Sequence, residues 1–409
     1  MISNRVDCPT IWTSRSKGSP VARLRWIRKT DWLISMTLDR TYPGVYLETT
    51  GDGGMAPIAG VPTSITAFIG TAATGELYVP AQVGSFAEFE EKFGALAAAC
   101  ELGYSVLQFF RNGGTSAWVV RVSDSPTDVE WIGTINALDA VDLFNLLVLP
   151  GVTVPSVVIP ALEYCVKRHA FLILDPPKEA NTPEQLLEWI ETETSLRSLN
   201  AAVYFPWINI ADPLNPPLPR RSAPGGTLAG LYARTDSTRG VWEAPAGIEA
   251  NLVGVETLDY AVTDDKVRKL ALLGINVLRV IAPHGPVAWG ARTLAGTDDF
   301  VLDWKYIPVR RLGLFLEESI GRCTRWATFE ANEEPLWAKI RLIVGAFMHD
   351  LFLKDAFLGS TPENAYFVNC DQTTTGPDDV EDGIMNIRIG FASIRPAEFV
   401  TITIQQIVG

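Results

Sequence analysis

Cysteine and histidine offer the most direct chemistry in this sequence, and few of them lie close together. The five cysteines, at positions 8, 100, 165, 323 and 370, form no C-x-x-C pair. Their odd number and scattered spacing predict neither a disulfide framework nor a zinc site, and they fit synthesis in a reducing cytoplasm. Cys165 and His169 are four residues apart on a predicted helix, a spacing that could place two metal ligands on one face. Because no second pair accompanies them, we interpret both as structural residues.

The remaining histidines and one acidic cluster give no stronger signal. His284 lies in the turn-like stretch APHGP, where we expect a local hydrogen bond, and His349 lies in a predicted helix. The acidic cluster in TGPDDVEDG lacks the D-x-[DN]-x-[DN]-G spacing of a calcium loop. We therefore interpret it as a solvated turn. Its members are Asp378, Asp379, Glu381 and Asp382.

Motifs for nucleotide and acyl chemistry are also missing. The sequence has no GxxxxGK[ST] phosphate loop and no GxSxG nucleophile elbow. The glycine-rich run at 51–54 lacks both the lysine and the preceding buried strand that a phosphate loop needs. The sequence therefore predicts a non-enzymatic chain with no catalytic residues, no cofactor and no metal.

Length and composition bound the architecture. The chain has 409 residues, of which 47% are hydrophobic and 20% charged, enough for two or three domains with a sizeable core. A net charge of −13 argues against nucleic-acid binding, which needs basic surface. No stretch approaches the roughly 18 apolar residues of a membrane span.

The first 35 residues differ from the rest in charge. They contain seven basic and two acidic residues, have no long apolar core, and resemble no secretory signal. Met36 follows at once, so one hypothesis is that residues 1–35 are an upstream extension of a mis-assigned start. The alternative is a basic arm that contacts an acidic partner.

The middle of the chain predicts a parallel α/β sheet. Three apolar runs typical of buried strands alternate with two helical stretches, and this order favours parallel strands covered by helices. Thr182, Pro183 and Gln185 together form a helix start with a capping box. The strands are predicted at Phe144–Leu149, Phe171–Leu174 and Ala201–Phe205, with a helix at Val157–Lys167 between the first two.

The C-terminal part predicts a second, α+β domain. A long surface loop is predicted over Ala211–Gly226, because this segment is rich in proline, arginine and glycine. Beyond it the predicted elements are a strand at Leu278–Ala282, helices at Val309–Ile320 and Leu336–Leu353, and a strand through Ile387, Ile389 and Phe391. The predicted divisions are 1–35 (basic leader), 36–60 (N-terminal arm and linker), 61–272 (α/β domain), 273–395 (C-terminal domain) and 396–409 (C-terminal strand).

Segments with a strand-like pattern also flank the two predicted domains, one on the N-terminal side and one at the C-terminus. The N-terminal one is TYPGVYLETT, followed by the glycine run at 51–54. The C-terminal one, FVTITIQQIV, alternates β-branched and polar residues and has no charge after Glu398. A strand of this kind must pair with something, because a free edge promotes aggregation. The pattern leaves two partners open, an edge of its own sheet or a sheet of a neighbouring copy.

From about Tyr42 onward the sequence resembles contractile tail sheath proteins. The matching motifs occur in family order over nearly the whole chain, which is far more specific than any one of them. They are YPGVYLE (42–48), SFAEFEEKFG (85–94), FFRNGGTSAWVVRV (109–122), LAGLYARTDSTRGVWEAPAG (228–247), GINVLRVIAPHGPVAWGARTL (274–294), DWKYIPVRRLGLFLEESI (303–320), FEANEEPLWAKI (329–340), FLGSTPENAYFVNCD (357–371) and PAEFVTITI (396–404).

The resemblance implies a structural subunit that stacks as hexameric rings around an inner tube and contracts to drive the tube through a target envelope. It implies that both terminal segments add strands to neighbouring copies, with hinges at 51–54 and at Arg395–Ala397. The residues expected in these strands are Val45, Tyr46, Leu47, Val400, Ile402 and Ile404. Contact with an inner tube is expected to be electrostatic, and the candidates are Arg310, Arg311, Arg322 and Arg325. The alternative for these arginines is pairing with Glu317 and Glu318 or exposure to solvent.

The implied partners are other copies of the chain, an inner tube, and baseplate and terminal cap proteins. The implied location is a virion-like or injection-system particle assembled in the cytoplasm, and we favour an injection system or a tailocin over a phage tail. Two other classes stay open: another structural component, such as a baseplate or capsid protein, and an α/β enzyme.

Overall fold

The fold is built on the buried apolar runs of the middle of the chain. A computed structural model of the protein describes residues 57–296, 304–394 and 399–407. The strands are β1 (Thr66–Gly70), β2 (Ala81–Val83), β3 (Ala117–Arg121), β4 (Leu146–Val148), β5 (Phe171–Leu174), β6 (Ala201–Phe205), β7 (Ile208–Ala211), β8 (Pro219–Ser222), β9 (Val255–Leu258), β10 (Ile275–Ile281), β11 (Gly285–Trp289), β12 (Tyr366–Asn369), β13 (Ile384–Ala392) and β14 (Phe399–Ile407).

Helices fill most of the intervals between these strands. They are α1 (Phe86–Phe93), α2 (Glu101–Arg111), α3 (Asp128–Ala137), α4 (Pro155–Lys167), α5 (Pro183–Thr192), α6 (Gly225–Arg239), α7 (Asp264–Leu272), α8 (Ile307–Cys323), α9 (Glu334–Leu353), α10 (Pro362–Ala365) and α11 (Pro377–Glu381). The predicted start of α5 is confirmed: Thr182 caps the helix, and Gln185 completes the capping box.

Eight strands form one sheet in the order β11-β10-β6-β5-β4-β1-β3-β2. The six strands from β10 to β3 run parallel, while β2 and β11 are antiparallel edges. Helices cover both faces, as connections between parallel strands require. One apolar core joins the sheet to α3, α4, α5 and α7, and the other joins it to α1, α2 and α6. The coarse prediction of a mixed α/β fold with a parallel-rich sheet is confirmed.

Helices α2 and α6 cross at very short distance, because glycines of α6 lie at the crossing. A Cβ atom on Gly226 would lie 2.3 Å from the carbonyl oxygen of Ser105, and one on Gly230 would lie 2.4 Å from that of Phe109. No side chain fits at those distances, so the glycines set the separation of the two helices. This contact explains Gly230 near the start of the LAGLYARTDSTRG motif and Gly226 just before it.

A second, smaller sheet corrects the prediction of one long loop over residues 211–226. Its order is β8-β7-β9, with both pairings antiparallel, and helix α6 already begins at Gly225. The loop itself is confined to the short connection between β7 and β8. The prolines that favoured a loop are accommodated because Pro219 starts an edge strand, a position where its missing N–H costs no ladder bond.

The third core lies in the C-terminal part. Helices α8 and α9 pack on one face of an antiparallel sheet of order β12-β13-β14. Strands β10 and β11 belong to the eight-stranded sheet and not to the sheet of the third core. The division at 273 stays a prediction. The predicted N-terminal strand with Val45, Tyr46 and Leu47, the leader 1–35, and both hinges lie outside the described residues.

Candidate assembly surfaces

Strand β14 pairs with β13 of the same chain. The two run antiparallel over nine residue pairs, from Ile384 opposite Ile407 to Ala392 opposite Phe399. This register places Val400 opposite Phe391 and Ile402 opposite Ile389. β14 occupies the end position in the sheet order, so among the described residues its second edge pairs with no strand.

The end of β14 is held by side chains that follow α8. Ile404 is half-buried against the third core. The Gln406 amide accepts a hydrogen bond from the Thr324 hydroxyl at 3.3 Å and donates one to the Thr328 hydroxyl at 3.2 Å. Next to these contacts, the side chain of Phe329 is 90% exposed. The strand edge and this ring are therefore neighbouring surface features of the C-terminal part.

Helix α8 joins the third core to the large sheet through a buried ion pair. The Arg311 guanidinium makes two bonds to the Asp236 carboxylate, at 2.8 and 2.6 Å, and both side chains are under 5% exposed. Arg311 also donates to the carbonyl of Thr63 at 3.0 Å, and the Thr63 hydroxyl donates to Asp236 at 2.6 Å. Bidentate geometry and these extra bonds compensate the two buried charges.

A second polar cluster lies further along α8. Glu318 accepts from Arg322 at 2.5 Å and lies 3.2 Å from Nδ1 of His169, while Arg322 also contacts the Asp142 carboxylate at 2.8 Å. Burial acts to raise the pKa of Glu318, but the bonds from His169 and Arg322 outweigh it and lower the pKa to about 2. The cluster therefore holds an ionised carboxylate between α8 and the loops at the start of β4 and β5.

The four arginines predicted to contact an inner tube differ in their surroundings. Arg310 donates to the Asn200 side chain at 2.8 Å and lies 3.4 Å from Glu317. Arg311 is buried and so presents no charge at the surface, and Arg322 is engaged by Glu318 and Asp142. Arg325 is exposed. Tube contact stays a prediction, and Arg325 is the member of the set best placed to make it.

The chemistry-bearing residues of the sequence occupy separate places. Cys165 is buried in the core, where burial raises its pKa, and His169 contacts Glu318 instead. His284 lies exposed at the turn between β10 and β11, and His349 is exposed on α9. Among the described residues, no three His, Cys, Asp or Glu side chains are arranged to hold a metal ion, and none of the helices is long and apolar enough to cross a bilayer.

The acidic cluster at 378–382 forms the short helix α11 rather than a simple turn. The carboxylate of Asp379 accepts from the backbone N–H of Gly376 at 2.9 Å and from the side chain of Asn386 at 3.0 Å. The first bond caps α11, and the second attaches it to the start of β13. The cluster therefore has a local structural role.

One acidic side chain at the carboxyl edge of the parallel strands is bound by backbone groups of the same chain. Asp175, which follows β5, accepts from the backbone N–H groups of Gly151 at 2.9 Å and Gly225 at 2.7 Å. Gly225 is the first residue of α6, so the carboxylate occupies the anion position at a helix N-terminus. Burial raises the pKa of Asp175 to about 7, against the lowering effect of the two N–H bonds.

Comparison with known proteins gives a curated relative for part of the chain. No protein-family model matches the sequence. The tail sheath protein of Enterobacteria phage T4 is 28% identical over 151 residues, which are 37% of this chain and 22% of the phage protein. The match thus spans about a fifth of that relative's length.

Solved structures match nearly the whole chain. The PVC sheath complex of an extracellular contractile injection system, in its contracted state, has a TM-score of 0.71 and 28% identity over 89% of this chain and 97% of that one. The six-fold symmetrised baseplate of the anti-feeding prophage gives 0.68 and 28% over 90% and 99%. The chain resembles contractile sheath proteins in sequence and in fold. The resemblance predicted from the motifs is thereby confirmed.

Two features of this sheath-like chain escaped the sequence analysis. One is the pairing of Arg311 with Asp236, which are 75 residues apart. A signal existed, because Asp236 is the single acidic residue of a helix that is buried over most of its length, and a buried carboxylate needs a cation. The other is the use of β10 and β11 as an edge of the large sheet, which depends on long-range pairing.

Proposed function

We propose that this sheath-like chain is the structural subunit of a contractile sheath, polymerised as stacked hexameric rings around an inner tube that contraction drives through a target envelope. The observation that carries the proposal is the likeness to the PVC sheath complex over 89% of this chain and 97% of that one. The six-fold symmetry of the anti-feeding prophage baseplate supports a ring of six. That same likeness favours a baseplate ring component as the second candidate.

Strand exchange between copies is the proposed connection. The backbone bonds that β13 offers to β14 do not depend on which copy supplies the strand, and side-chain alternation sets the register in either case. A β14 that pairs within its own chain in the free subunit can occupy the same position on a neighbour in the assembly, as in domain swapping. The segment 41–49 is proposed to add a second strand along the edge of β14 that pairs with no strand among the described residues.

The proposed role is mechanical and not enzymatic. Asp175, an acidic residue at the carboxyl edge of the parallel sheet, already accepts two backbone N–H groups of its own chain. The two polar contacts of α8 also tie the third core to the large sheet, which suits a subunit that must move as one body. A contractile sheath needs no nucleotide at firing if the contracted state has the lower free energy.

The proposed partners are an inner tube, contacted through Arg325, and baseplate and cap proteins at the two ends of the stack. The proposed location is a particle assembled in the cytoplasm. The support for an injection system over a phage tail is the 28% identity to the two injection-system chains, over 90% and 89% of this chain.

Electron microscopy of the purified protein tests this function. We expect hollow tubes with a cogwheel cross-section, formed by the full chain and lost on deletion of residues 399–408, while circular dichroism of the shortened chain keeps the spectrum of a folded α/β protein. Flat rings that do not stack would favour the baseplate candidate. A monodisperse monomer under all assembly conditions would contradict the sheath proposal.

A further inference from the structure

The chain that leads from the N-terminal segment to β1 lies along helix α8. We call residues 57–63 the strap, and they form neither helix nor strand. Ile58 is buried in the third core together with residues of α8 and α9. The strap is thus fixed to the C-terminal part of the protein, although the strand that it precedes belongs to the large sheet.

Two hydrogen bonds from α8 hold the backbone of the strap. The Arg311 guanidinium donates to the Thr63 carbonyl at 3.0 Å, and the Ser319 hydroxyl accepts from the Val61 N–H at 3.1 Å. Ser319 is fully buried. Because an irregular segment cannot pair its own backbone groups as a helix or strand does, it needs partners of this kind. The strap therefore depends on α8 for its position.

A glycine lets the strap approach α8 closely. A Cβ atom on Gly60 would lie 2.7 Å from the ring of Phe315 on α8 and 3.8 Å from the ring of Phe347 on α9. A larger side chain would require the ring or the strap to move. Phe315 lies four residues from Arg311 and four from Ser319, so the three contacts form one stripe along the helix.

The same helix also provides the place for β14. The hydroxyl of Thr324, the C-terminal cap residue of α8, donates to the Gln406 side chain at 3.3 Å. The Gln406 side chain donates in turn to the Thr328 hydroxyl at 3.2 Å. Thr324 is five residues beyond Ser319, about 7.5 Å along a helix axis. The attachments of the strap and of β14 therefore lie close together on one element.

We propose that α8 fixes the point at which the N-terminal segment leaves the subunit relative to the place that receives β14, whichever copy supplies that strand. The positioning residues are Arg311, Phe315 and Ser319 for the strap and Thr324 and Thr328 for β14. A subunit that contacts two neighbours gains affinity when the first contact keeps the second within reach, because the second then forms at a high effective concentration. A rigid link between the two attachments provides that geometry.

This inference rests on the proposed strand exchange and adds the element that coordinates its two ends. Without the contacts to α8, the segment 41–49 would be connected to the subunit only through β1, by an irregular chain that can point in many directions. With them, the last fixed point before this segment lies on α8, beside the place of β14. Strand exchange then depends on side chains of α8 as well as on backbone pairing.

Moving the strap away from α8 gives the first test. Gly60→Leu places a side chain where the Phe315 ring lies, and it should raise the protein concentration needed for tubes about tenfold, while circular dichroism shows a folded subunit. The matched control is Gly133→Leu on α3, where a Cβ atom meets nothing within 4 Å, and it should polymerise like the wild type. Equal polymerisation of the two variants would overturn the inference and leave the sheath function intact. No tubes from the wild type would instead reject the function.

Deleting a hydroxyl repeats the test without added bulk. Ser319→Ala removes the acceptor of the Val61 N–H, whereas Ser105→Ala on α2 removes a buried hydroxyl that has no hydrogen-bond partner among the described residues. Ser319→Ala should raise the concentration needed for tubes about threefold, and Ser105→Ala should leave it unchanged. The same concentration for both alanine variants would show that the strap does not position the N-terminal segment.

A double variant tests the link between the two attachments. Thr328→Val removes one hydroxyl that holds Gln406. Adding it to Gly60→Leu should raise the concentration needed for tubes little further, because either change alone already breaks the link through α8. In urea denaturation of the free subunit the two losses should add, as they do for separate sites. Effects that multiply in the tubes would show that the attachments act independently, which would overturn the inference.

Discussion

Two connections in the protein differ in kind. The joint is where the Arg311–Asp236 pair and the Glu318 cluster tie α8 to the large sheet, and the edge is where β14 pairs with β13. At the joint, charged side chains from distant parts of the chain meet in one geometry, as in the bidentate contact of Arg311 with Asp236. At the edge, backbone groups of β13 and β14 pair along nine positions. Side-chain geometry admits one partner, whereas main-chain pairing admits any strand of suitable pattern. The comparison separates what holds one subunit together from what can be shared between subunits.

Breaking the joint should have the largest effect on stability. Arg311→Met leaves the Asp236 carboxylate buried without a cation, which should cost about 3–5 kcal/mol in the free energy of unfolding. Urea denaturation of the isolated subunit measures this. The control, Arg325→Met, removes an exposed arginine and should change stability by less than about 0.5 kcal/mol. Equal losses in the two variants would show that the buried pair has no special role.

Truncating each isoleucine of one facing pair should show how much β13 and β14 each contribute to the stability of the subunit. Ile387 on β13 is fully buried, whereas its partner Ile404 on β14 is only half-buried. Ile387→Ala should cost about 2–5 kcal/mol, and Ile404→Ala about 1 kcal/mol, since less apolar area is lost. The same denaturation assay compares them. A larger loss for Ile404 would place β14 in the permanent core of the subunit.

Acid should weaken the second cluster of the joint. The pKa of Glu318 is lowered in the folded chain to about 2, so its contribution is present above the ordinary carboxyl range near pH 4.5 and is lost as the pH falls towards 2. The stability difference between wild type and Glu318→Gln should be about 1–3 kcal/mol at pH 6 and should vanish near pH 2. Glu317→Gln, which breaks a longer contact of 3.4 Å with Arg310, should show a smaller difference. A difference independent of pH would contradict the ion-pair account.

The elements most accessible from sequence were those with a strong local pattern. The runs at Phe171–Leu174 and Ala201–Phe205 predicted β5 and β6 at their observed bounds. Thr182 and Gln185 formed the predicted capping box, because capping depends only on neighbouring residues. The apolar faces of α8 and α9 were likewise visible in the spacing of their leucines and isoleucines.

The parts that escaped prediction depend on contacts between distant residues. β10 joins the large sheet through pairing of Ile275 with Val203, which no local pattern encodes. Arg311 was grouped with Arg310, Arg322 and Arg325 because all four lie on or beside the same predicted helix, but in the structure it pairs with Asp236 of the buried helix α6. Local spacing shows which face of a helix is apolar; it does not show which single charge on that face is paired inside.

The most direct test of the central claim asks which chain supplies the strand next to β13. Arg388 and Thr403 are facing residues in the β13–β14 register. Tubes co-assembled from Arg388→Cys chains and Thr403→Cys chains should give covalent dimers on oxidation, because strand exchange brings the two cysteines together only between copies. The doubly substituted chain, kept as a free subunit, should instead form the bond within itself and serves as the positive control. If that internal bond forms but the mixed tubes give no dimer, β14 stays with its own chain and does not link the subunits.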